Sequence, residues 1–339
     1  MTQVAEVRWG ILSTAGIARQ KVIPGIQKAD RCRVVAIASR DAARATEVAR
    51  AAGIPTAHSS YEALLADPSV DAVYLPLPNH LHARWAIAAA RAGKHVLCEK
   101  PLALTSADAE RMVAVAEAAG VRLMEAFMYR LHPSWVAVRD LVESGRIGRL
   151  VAVQSWFSYF NDDPANIRNV REFGGGALYD VGCYCVNLSR MLFGSEPTRV
   201  EASMLRDPAS GVDVVTSGLL EFPDGSATFT CSIRAEDDQR VHIYGTEGRI
   251  SIEIPFNIPP DRPSRVYLTH GGAPPVNPAT QTFTFDTADP YSVEASAFAT
   301  AILDGGPTPV PPQDAVANLR VVERLLRSGA GDASYSAAG

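Results

Sequence analysis

The chain has little that would tie it to a nucleic acid, a membrane or an oxidising compartment. Charged residues make up 20% and the net charge is −5, so no basic field exists for nucleic acid. No stretch approaches the roughly 18 apolar residues that a membrane span needs. Residues Met1 to Gly10 lack the apolar core of a secretory signal. Cysteine is scarce: five residues, Cys32, Cys98, Cys183, Cys185 and Cys231, show no paired spacing. An odd, scattered set reads as reduced thiols in a cytoplasmic protein. Cys183 and Cys185 have no nearby histidine or cysteine to complete a set, so no metal site is expected. Internal repeats are absent too. What is present is length and apolar content: 339 residues, 47% of them apolar, enough for two domains with sizeable cores.

The first part alternates strand and helix signals. Arg8 to Leu12 reads as a strand running into a glycine turn, and Ala18 to Lys28 as a helix. Arg33 to Ala38 is a continuous apolar run, as a parallel strand buried on both faces requires. The spacing predicts helices over Ala42–Ala52, Tyr61–Ala66, His82–Ala92 and Ser106–Ala119, with strands at Ala72–Leu75, Val96–Cys98 and Leu123–Ala126. Such alternation implies a doubly wound parallel sheet. Beyond Phe127 the texture changes. After a helix over Pro133–Ser144 come six strands of period two, between Val151 and Ile254, with turns at Phe222-Pro223-Asp224-Gly225 and Gly245-Thr246-Glu247-Gly248. Pro255 to Pro278 is proline-rich and reads as an irregular surface excursion. Two helices, Ser292–Leu303 and Gln313–Arg327, follow. The fold class is therefore α/β: a Rossmann-like parallel sheet over 1–127, then an α+β domain over 128–339 with a large, mostly antiparallel sheet.

Gly10 to Ala18 sits where a dinucleotide fingerprint belongs, between strand and helix, although glycine is sparse in it. The free amides of the following helix start suit phosphate groups. About 20 residues past such a turn, an NAD site places an acid on the ribose. Here Ser39 and Arg40 stand in that place, with Arg44 one turn on. A hydroxyl and a guanidinium suit a 2′-phosphate, so NADP(H) is expected over NAD(H), which stays open.

Glu99-Lys100-Pro101 ends a buried strand, at the edge where open α/β sheets bind ligands. A strand-end Glu–Lys ion pair is the simpler reading of that dipeptide. Further on, Gly174-Gly175-Gly176 precedes a helix. Asp180, Tyr184 and Asn187 share one face of it, beside an apolar stripe of Val181, Cys185, Leu188 and Leu192. A structural Tyr–Asp hydrogen bond at a domain seam is the alternative there. Trp156 and Phe157 would either stack on a sugar ring or pack in the core.

Three blocks carry a resemblance. Pro76-Leu77-Pro78-Asn79-His80-Leu81-His82, the Glu99-Lys100-Pro101 block and Gly174 to Gly182 strongly resemble the glucose–fructose oxidoreductase / inositol dehydrogenase (Gfo/Idh/MocA) family. These are nicotinamide-dependent sugar and polyol oxidoreductases, and the likeness runs from about Val7 to the last helix. Aligned on the family pattern, Ser13, Ala15 and Ala18 fill the three glycine positions, so Ser13, Thr14, Ala15, Gly16 and Ile17 would cradle the phosphates. Pro76, Leu77, Asn79 and His80 would lie along the nicotinamide ribose, near Glu99 and Lys100. The family's usual Asp-x-Gly-x-His is Asp180-Val181-Gly182-Cys183-Tyr184 here. That change resembles the branch of dimeric dihydrodiol dehydrogenases and NADP-dependent D-xylose dehydrogenases, in which tyrosine carries the proton. The resemblance implies Tyr184 as acid/base, Lys100 as its tuner and Asp180 as a substrate-orienting group. Tyr129, at the entry to the substrate domain, and Arg168 are further candidates for substrate contact, and Asn166 for sugar hydroxyls. The expected reaction is hydride transfer with a small carbohydrate or cyclic alcohol. A ketosugar reductase using the same residues in reverse is the alternative, and a silent cofactor-sensing regulator is one from another class. Trp156, Val214, Leu220, Phe229 and Ile233 suggest an apolar sheet face. With the resemblance, that implies a homodimer or dimer of dimers joined through the second domain.

Overall fold

The computed structural model describes residues 5–271 and 279–330. The chain divides into two compact units, Met1–Leu131 with Asp289–Val316, and His132–Ala288 with Ala317–Gly339. In the first unit, strands β1 (Val7–Ile11), β2 (Cys32–Ala38), β3 (Thr56–His58), β4 (Ala72–Leu75), β5 (His95–Glu99) and β6 (Leu123–Ala126) form one sheet. Every pairing is parallel, in the order β3-β2-β1-β4-β5-β6. Helices α1 (Ile23–Lys28), α2 (Ala42–Ala52), α3 (Tyr61–Leu65), α4 (Asn79–Arg91) and α5 (Ser106–Ala118) connect the strands. Because β1 pairs with both β2 and β4, the chain reverses direction across the sheet there. A crevice beyond the carboxyl ends of β1 and β4 is what that topology produces. The short β3 gives no sequence signal. The expected helix from Ala18 begins as a π-helical turn, Ala18–Val22, before α1.

In the second unit, α6 (Pro133–Glu143) precedes β7 (Leu150–Phe160), and α7 (Cys183–Phe193) follows it. Then come β8 (Arg199–Arg206), β9 (Asp213–Phe222), β10 (Gly225–Ser232), β11 (Arg234–Gly245), β12 (Gly248–Ile252), β13 (Ser264–His270) and β14 (Ala279–Phe285). The sheet order is β14-β13-β12-β11-β7-β10-β9-β8, antiparallel except where β7 meets β10. β13 corrects the reading of Pro255 to Pro278 as irregular: part of it is strand, and Phe256 and Ile258 are buried. Residues 272–278 of that stretch lie outside the described residues.

One face of this sheet packs on α7. Val214, Leu220, Phe229 and Ile233, expected to make an exposed apolar face, are all buried. They share the face of Val153 and Phe157, so the alternation turns them toward the helices. The other face carries Gln154, Trp156, Ser217, Leu219, Thr228 and Thr230 and is richer in hydroxyls than expected.

Two late helices complete the chain, α8 (Pro290–Leu303) and α9 (Pro312–Ser328). α8 belongs with the parallel sheet rather than with 128–339. Phe298, fully buried, lies 5.7 Å from the Trp9 ring within the cluster of Ile11, Ile26, Ile37 and Tyr74. Burying one such side chain contributes about 2–3 kcal/mol. The Arg31–Asp304 ion pair and the bond from the Asp30 amide to Ser296 fasten the same helix at its surface side. The aromatic Phe298 therefore decides the helix's allegiance more than the exposed charges do.

Candidate functional site

The candidate residues divide between the units. Lys100 and the nucleotide-binding candidates lie in the first, and Arg168, Asp180 and Tyr184 in the second. In the first unit, three bonds anchor the turn after β5. Tyr74, fully buried on β4, donates its hydroxyl to Glu99 Oε1 at 2.5 Å. Burial, then the neighbouring Glu99 charge, push the Tyr74 phenol well above its ordinary pKa, so it stays a donor. Glu125, at the end of β6 and 3% exposed, accepts the Leu102 amide at 2.7 Å. His82, with no exposed surface, places Nδ1 2.8 Å from the Pro101 carbonyl and Nε2 2.7 Å from that of Leu77. One imidazole thus joins the Pro76-Leu77 loop to the Lys100-Pro101 turn. Tyr74, His82 and Glu125 were not singled out, because these partners lie 19 to 25 residues away in the chain.

Asn79 and His80 open α4, three residues earlier than expected, and Pro78 precedes them. In the turn after β1, Ser13 accepts the Ala15 amide through its hydroxyl, and a side chain at Gly16 would meet nothing. Thr14 and Ala15 are half-buried, and Ile17 is exposed. At the end of β2, the buried Ser39 accepts the Asp41 amide and Arg40 is exposed. Asp41 is the N-cap of α2 and accepts the Arg44 amide at 3.0 Å. The acid next to Arg40 in the chain thus caps a helix start. The Arg44 side chain pairs with Glu47 at 2.8 Å. An open turn and an exposed guanidinium fit a phosphorylated ribose.

Tyr129 lies in a short 3-10 turn, Met128–Leu131, fully buried and edge-on to Phe127. Buried deep in the same unit, Glu294 of α8 is held protonated well above its ordinary range by burial, then by the Glu99 charge.

In the second unit, the three glycines make a tight connection into the helix that carries Asp180 and Tyr184. The Gly175 amide reaches the Val170 carbonyl at 3.0 Å, and that of Gly176 the Arg168 carbonyl at 2.9 Å. A Cβ on Gly175 would overlap the Arg168 carbonyl. One on Gly176, whose φ is +115°, would overlap Asp213. Asp213, 2% exposed, accepts the Leu178 amide at 2.8 Å and the Thr216 hydroxyl at 2.6 Å, capping the helix start. The chain then makes a π-helical turn, Leu178–Gly182, before α7. So Asp180 stands on a wider turn than the α-helix expected, a device frequent at functional sites.

Asp180 Oδ2 accepts two bonds, from Tyr159 Oη at 2.5 Å and Arg168 Nε at 2.8 Å. The expected Asp180 and Arg168 are thus brought together, and Tyr159 was missed. Asn166 caps the Arg168 amide instead of offering its oxygen outward. Asn169 bonds Asn161 and Asp163, and Arg234 donates to Asn169, so the loop carrying Arg168 is tied to β11. Tyr184, 5% exposed, lies edge-on to Phe157 at 5.5 Å and tilted to Phe256 at 5.4 Å. Phe157 and Phe256 stack on each other at 5.1 Å. Phe157 is therefore core, and Trp156 lies on the other face, its Nε1 donating to Ser158 at 2.7 Å. All five cysteines are free thiols. No cluster of three metal-binding side chains, and no helix long and apolar enough to cross a membrane, occurs among the described residues.

Comparison with known proteins places these features in a lineage. Residues 7–127 match an oxidoreductase family with an NAD-binding Rossmann fold, and residues 135–251 match the GFO/IDH/MocA C-terminal domain. A D-xylose 1-dehydrogenase (NADP+) of Haloferax volcanii is 42% identical over 323 residues, covering 94% of this chain and 96% of that one. A trans-1,2-dihydrobenzene-1,2-diol dehydrogenase of Mus musculus is 36% identical over 252 residues, covering 73% and 74%. A solved 3-ketoreductase of Actinomadura kijaniata, in complex with NADP and TDP-benzene, superposes with a TM-score of 0.87 at 30% identity, covering 95% of this chain and 98% of that one. Other structures of that ketoreductase carry a lysine replaced by alanine or glutamate, or a tyrosine replaced by phenylalanine.

Proposed function

Since this chain belongs to the GFO/IDH/MocA oxidoreductase family, we propose that it is an NADP-dependent dehydrogenase of a sugar or related cyclic alcohol. The observation that carries the reading is the likeness, along 94% of the chain, to an NADP-dependent D-xylose dehydrogenase. The end of β2 supports the same cofactor, because Arg40 is exposed there while Asp41 is spent on capping.

In this reading Ser13 to Ile17 hold the phosphates, Ser39, Arg40 and Arg44 the ribose phosphate, and Pro76, Leu77, Asn79, His80 and Glu99 border the nicotinamide. When bound, the nicotinamide supplies the acceptor or donor of the hydride. Tyr184 takes the hydroxyl proton as the carbon becomes a carbonyl, and returns it in reduction. A free tyrosine, with a pKa of about 10, is a poor base at neutral pH. The Lys100 ammonium favours the phenolate and donates to the reacting oxygen. Asp180 accepts a bond from a second substrate hydroxyl, with Arg168 as a further substrate neighbour; Tyr129, expected to share that role, is fully buried and has no surface to offer a substrate. The lysine and tyrosine replaced in the solved ketoreductase are as far apart in that chain as Lys100 and Tyr184 are here, which supports the pairing.

The test is a screen of NADP+ reduction across pentoses, hexoses, anhydrosugars, inositols and trans-dihydrodiols. No turnover with any of them would overturn the dehydrogenase reading. The likeness to the 3-ketoreductase favours a second reading, reduction of a nucleotide-linked 3-ketosugar, and NADPH oxidation with such a sugar tests it. Retention of Lys100, Asp180 and Tyr184 argues against a silent regulator. We also propose a cytoplasmic homodimer, or dimer of dimers, joined through the second unit's open sheet face. Light scattering that finds a monomer at micromolar concentration would refute it.

A further inference from the structure

Asp180 can guide a substrate only if its own carboxylate is held still. Tyr159, near the end of β7, and Arg168, in the following loop, supply the hold. Both donate to Oδ2, at 2.5 and 2.8 Å. The donors come from different segments, so they approach that oxygen independently. Each is itself anchored. Tyr159 follows Ser158, the last β7 residue paired with β10, and its neighbours Ser158 and Phe160 both pair with β11. The Arg168 amide is capped by Asn166, and its carbonyl accepts the Gly176 amide. Burial, then the Asp180 charge, keep the Tyr159 phenol protonated, so it donates and does not compete with Tyr184 as a base.

We infer that Tyr159 is a positioning residue: with Arg168 it locks the Asp180 carboxylate in one orientation, so that recognition of a substrate hydroxyl depends on a phenol that does not itself take part in proton transfer. The inference rests on the reading of Asp180 as the substrate-orienting acid. A neutral donor suits the task. It adds a second hold on the carboxylate without adding a second cation beside the Arg168 guanidinium, which already pairs with the same oxygen.

The test uses the full-length protein with NADP+ and D-xylose, and with trans-1,2-dihydrobenzene-1,2-diol as a second probe. Tyr159→Phe keeps the ring and removes one charge-assisted bond, so the substrate KM should rise about tenfold, with kcat changed by less than about threefold. Affinity for NADP+, measured by fluorescence titration, should not change. In an Asp180→Ala background, Tyr159→Phe should have no further effect, because the coupled partner is gone. A substrate KM within twofold of the unmodified protein, additive effects in the double variant, or an equal loss of NADP+ affinity would each overturn the inference. If Asp180→Ala itself keeps full kcat/KM, the reading of Asp180 fails instead. A readout free of turnover comes from ring-labelled tyrosine in NMR, where the Tyr159 signal is the one missing from Tyr159→Phe. It should stay protonated at pH above the ordinary tyrosine value of about 10 and change shift in Asp180→Asn. A Tyr159 signal indifferent to that substitution removes the contact on which the inference stands.

Discussion

His82 should make the protein acid-labile, and the size of the effect follows from its surroundings. The ring has no exposed surface, and burial pushes its pKa down to about 4 from an ordinary 6.5. Both ring nitrogens face carbonyls, of Pro101 and Leu77, and a neutral imidazole can donate to only one. Those carbonyls pull the pKa up, while Lys100 and His80 add to the downward push, and burial prevails. The folded state therefore binds fewer protons than the unfolded chain between about pH 6.5 and 4, so stability rises with pH across that window and is lost as pH falls through it. At 1.36 kcal/mol per pKa unit, the difference amounts to about 3 kcal/mol. Against a typical stability of about 5–15 kcal/mol, that is a large share. It corresponds to a fall in Tm of roughly 6–12 °C for a unit of this size. His132 in the second unit, lowered to about 4 chiefly by burial, acts in the same direction. Scanning calorimetry from pH 7.5 to 4.5 should show the decline, and His82→Asn should flatten part of it. At pH 7.5 that variant should lose about 1–3 kcal/mol, because a buried carbonyl is deprived of its donor. A Tm unchanged between pH 7 and 4.5, or an undiminished slope in His82→Asn, would refute the reasoning.

The remaining predictions concern the site directly. Arg40→Ala should lower the preference for NADP+ over NAD+ in kcat/KM by about tenfold, one charge-assisted bond at an exposed position; equal or better turnover with NAD+ in the unmodified protein sinks the idea. Lys100→Ala and Tyr184→Phe should each reduce kcat by roughly 10²-fold or more with the fold intact by circular dichroism. Near-normal kcat in Tyr184→Phe would mean that another group carries the proton. Gly176→Ala combines a positive φ with a collision against the capping Asp213, and should cost about 2–4 kcal/mol in denaturant melts. A loss below 0.5 kcal/mol would show that the connection relaxes.

What the sequence made legible was set by the range of the forces involved. The apolar runs of β2, β4 and β5 and the glycine ends of α2 and α7 are local signals, and the parallel order follows from them. The allegiance of α8 was not legible, since Phe298 meets Trp9 across nearly the whole chain. The strand β13 hid behind the prolines that flank it. Period two established that Val214, Leu220 and Phe229 share a face, but not which face the helices would cover. At the site, reactive types in motif positions stood out: Lys100, Asp180 and Tyr184. Their supports did not, because Tyr74, His82, Glu125, Tyr159 and Asp213 act at long sequence separation.

Two of those supports follow one physical rule. In each unit a tyrosine at least partly buried donates at 2.5 Å to a carboxyl: Tyr74 to Glu99, beside Lys100, and Tyr159 to Asp180, one turn before Tyr184. Both phenols are driven above their ordinary pKa first by burial and next by the acid they serve. Asp180 already pairs with the Arg168 guanidinium, so a lysine or arginine in place of either tyrosine would add a further cation to the site. Near Glu99 it would also repel the Lys100 ammonium and compete for the same acid. A neutral donor at high pKa orients the acid and leaves the local field to the groups that do chemistry. A third tyrosine, Tyr184, packs against the rings of Phe157 and Phe256. Tyr74→Phe should then disturb the placement of Lys100 and leave the Asp180 pair untouched, so that its effect on kcat/KM adds to that of Tyr159→Phe. Strong non-additivity between them would show that the two supports are not independent.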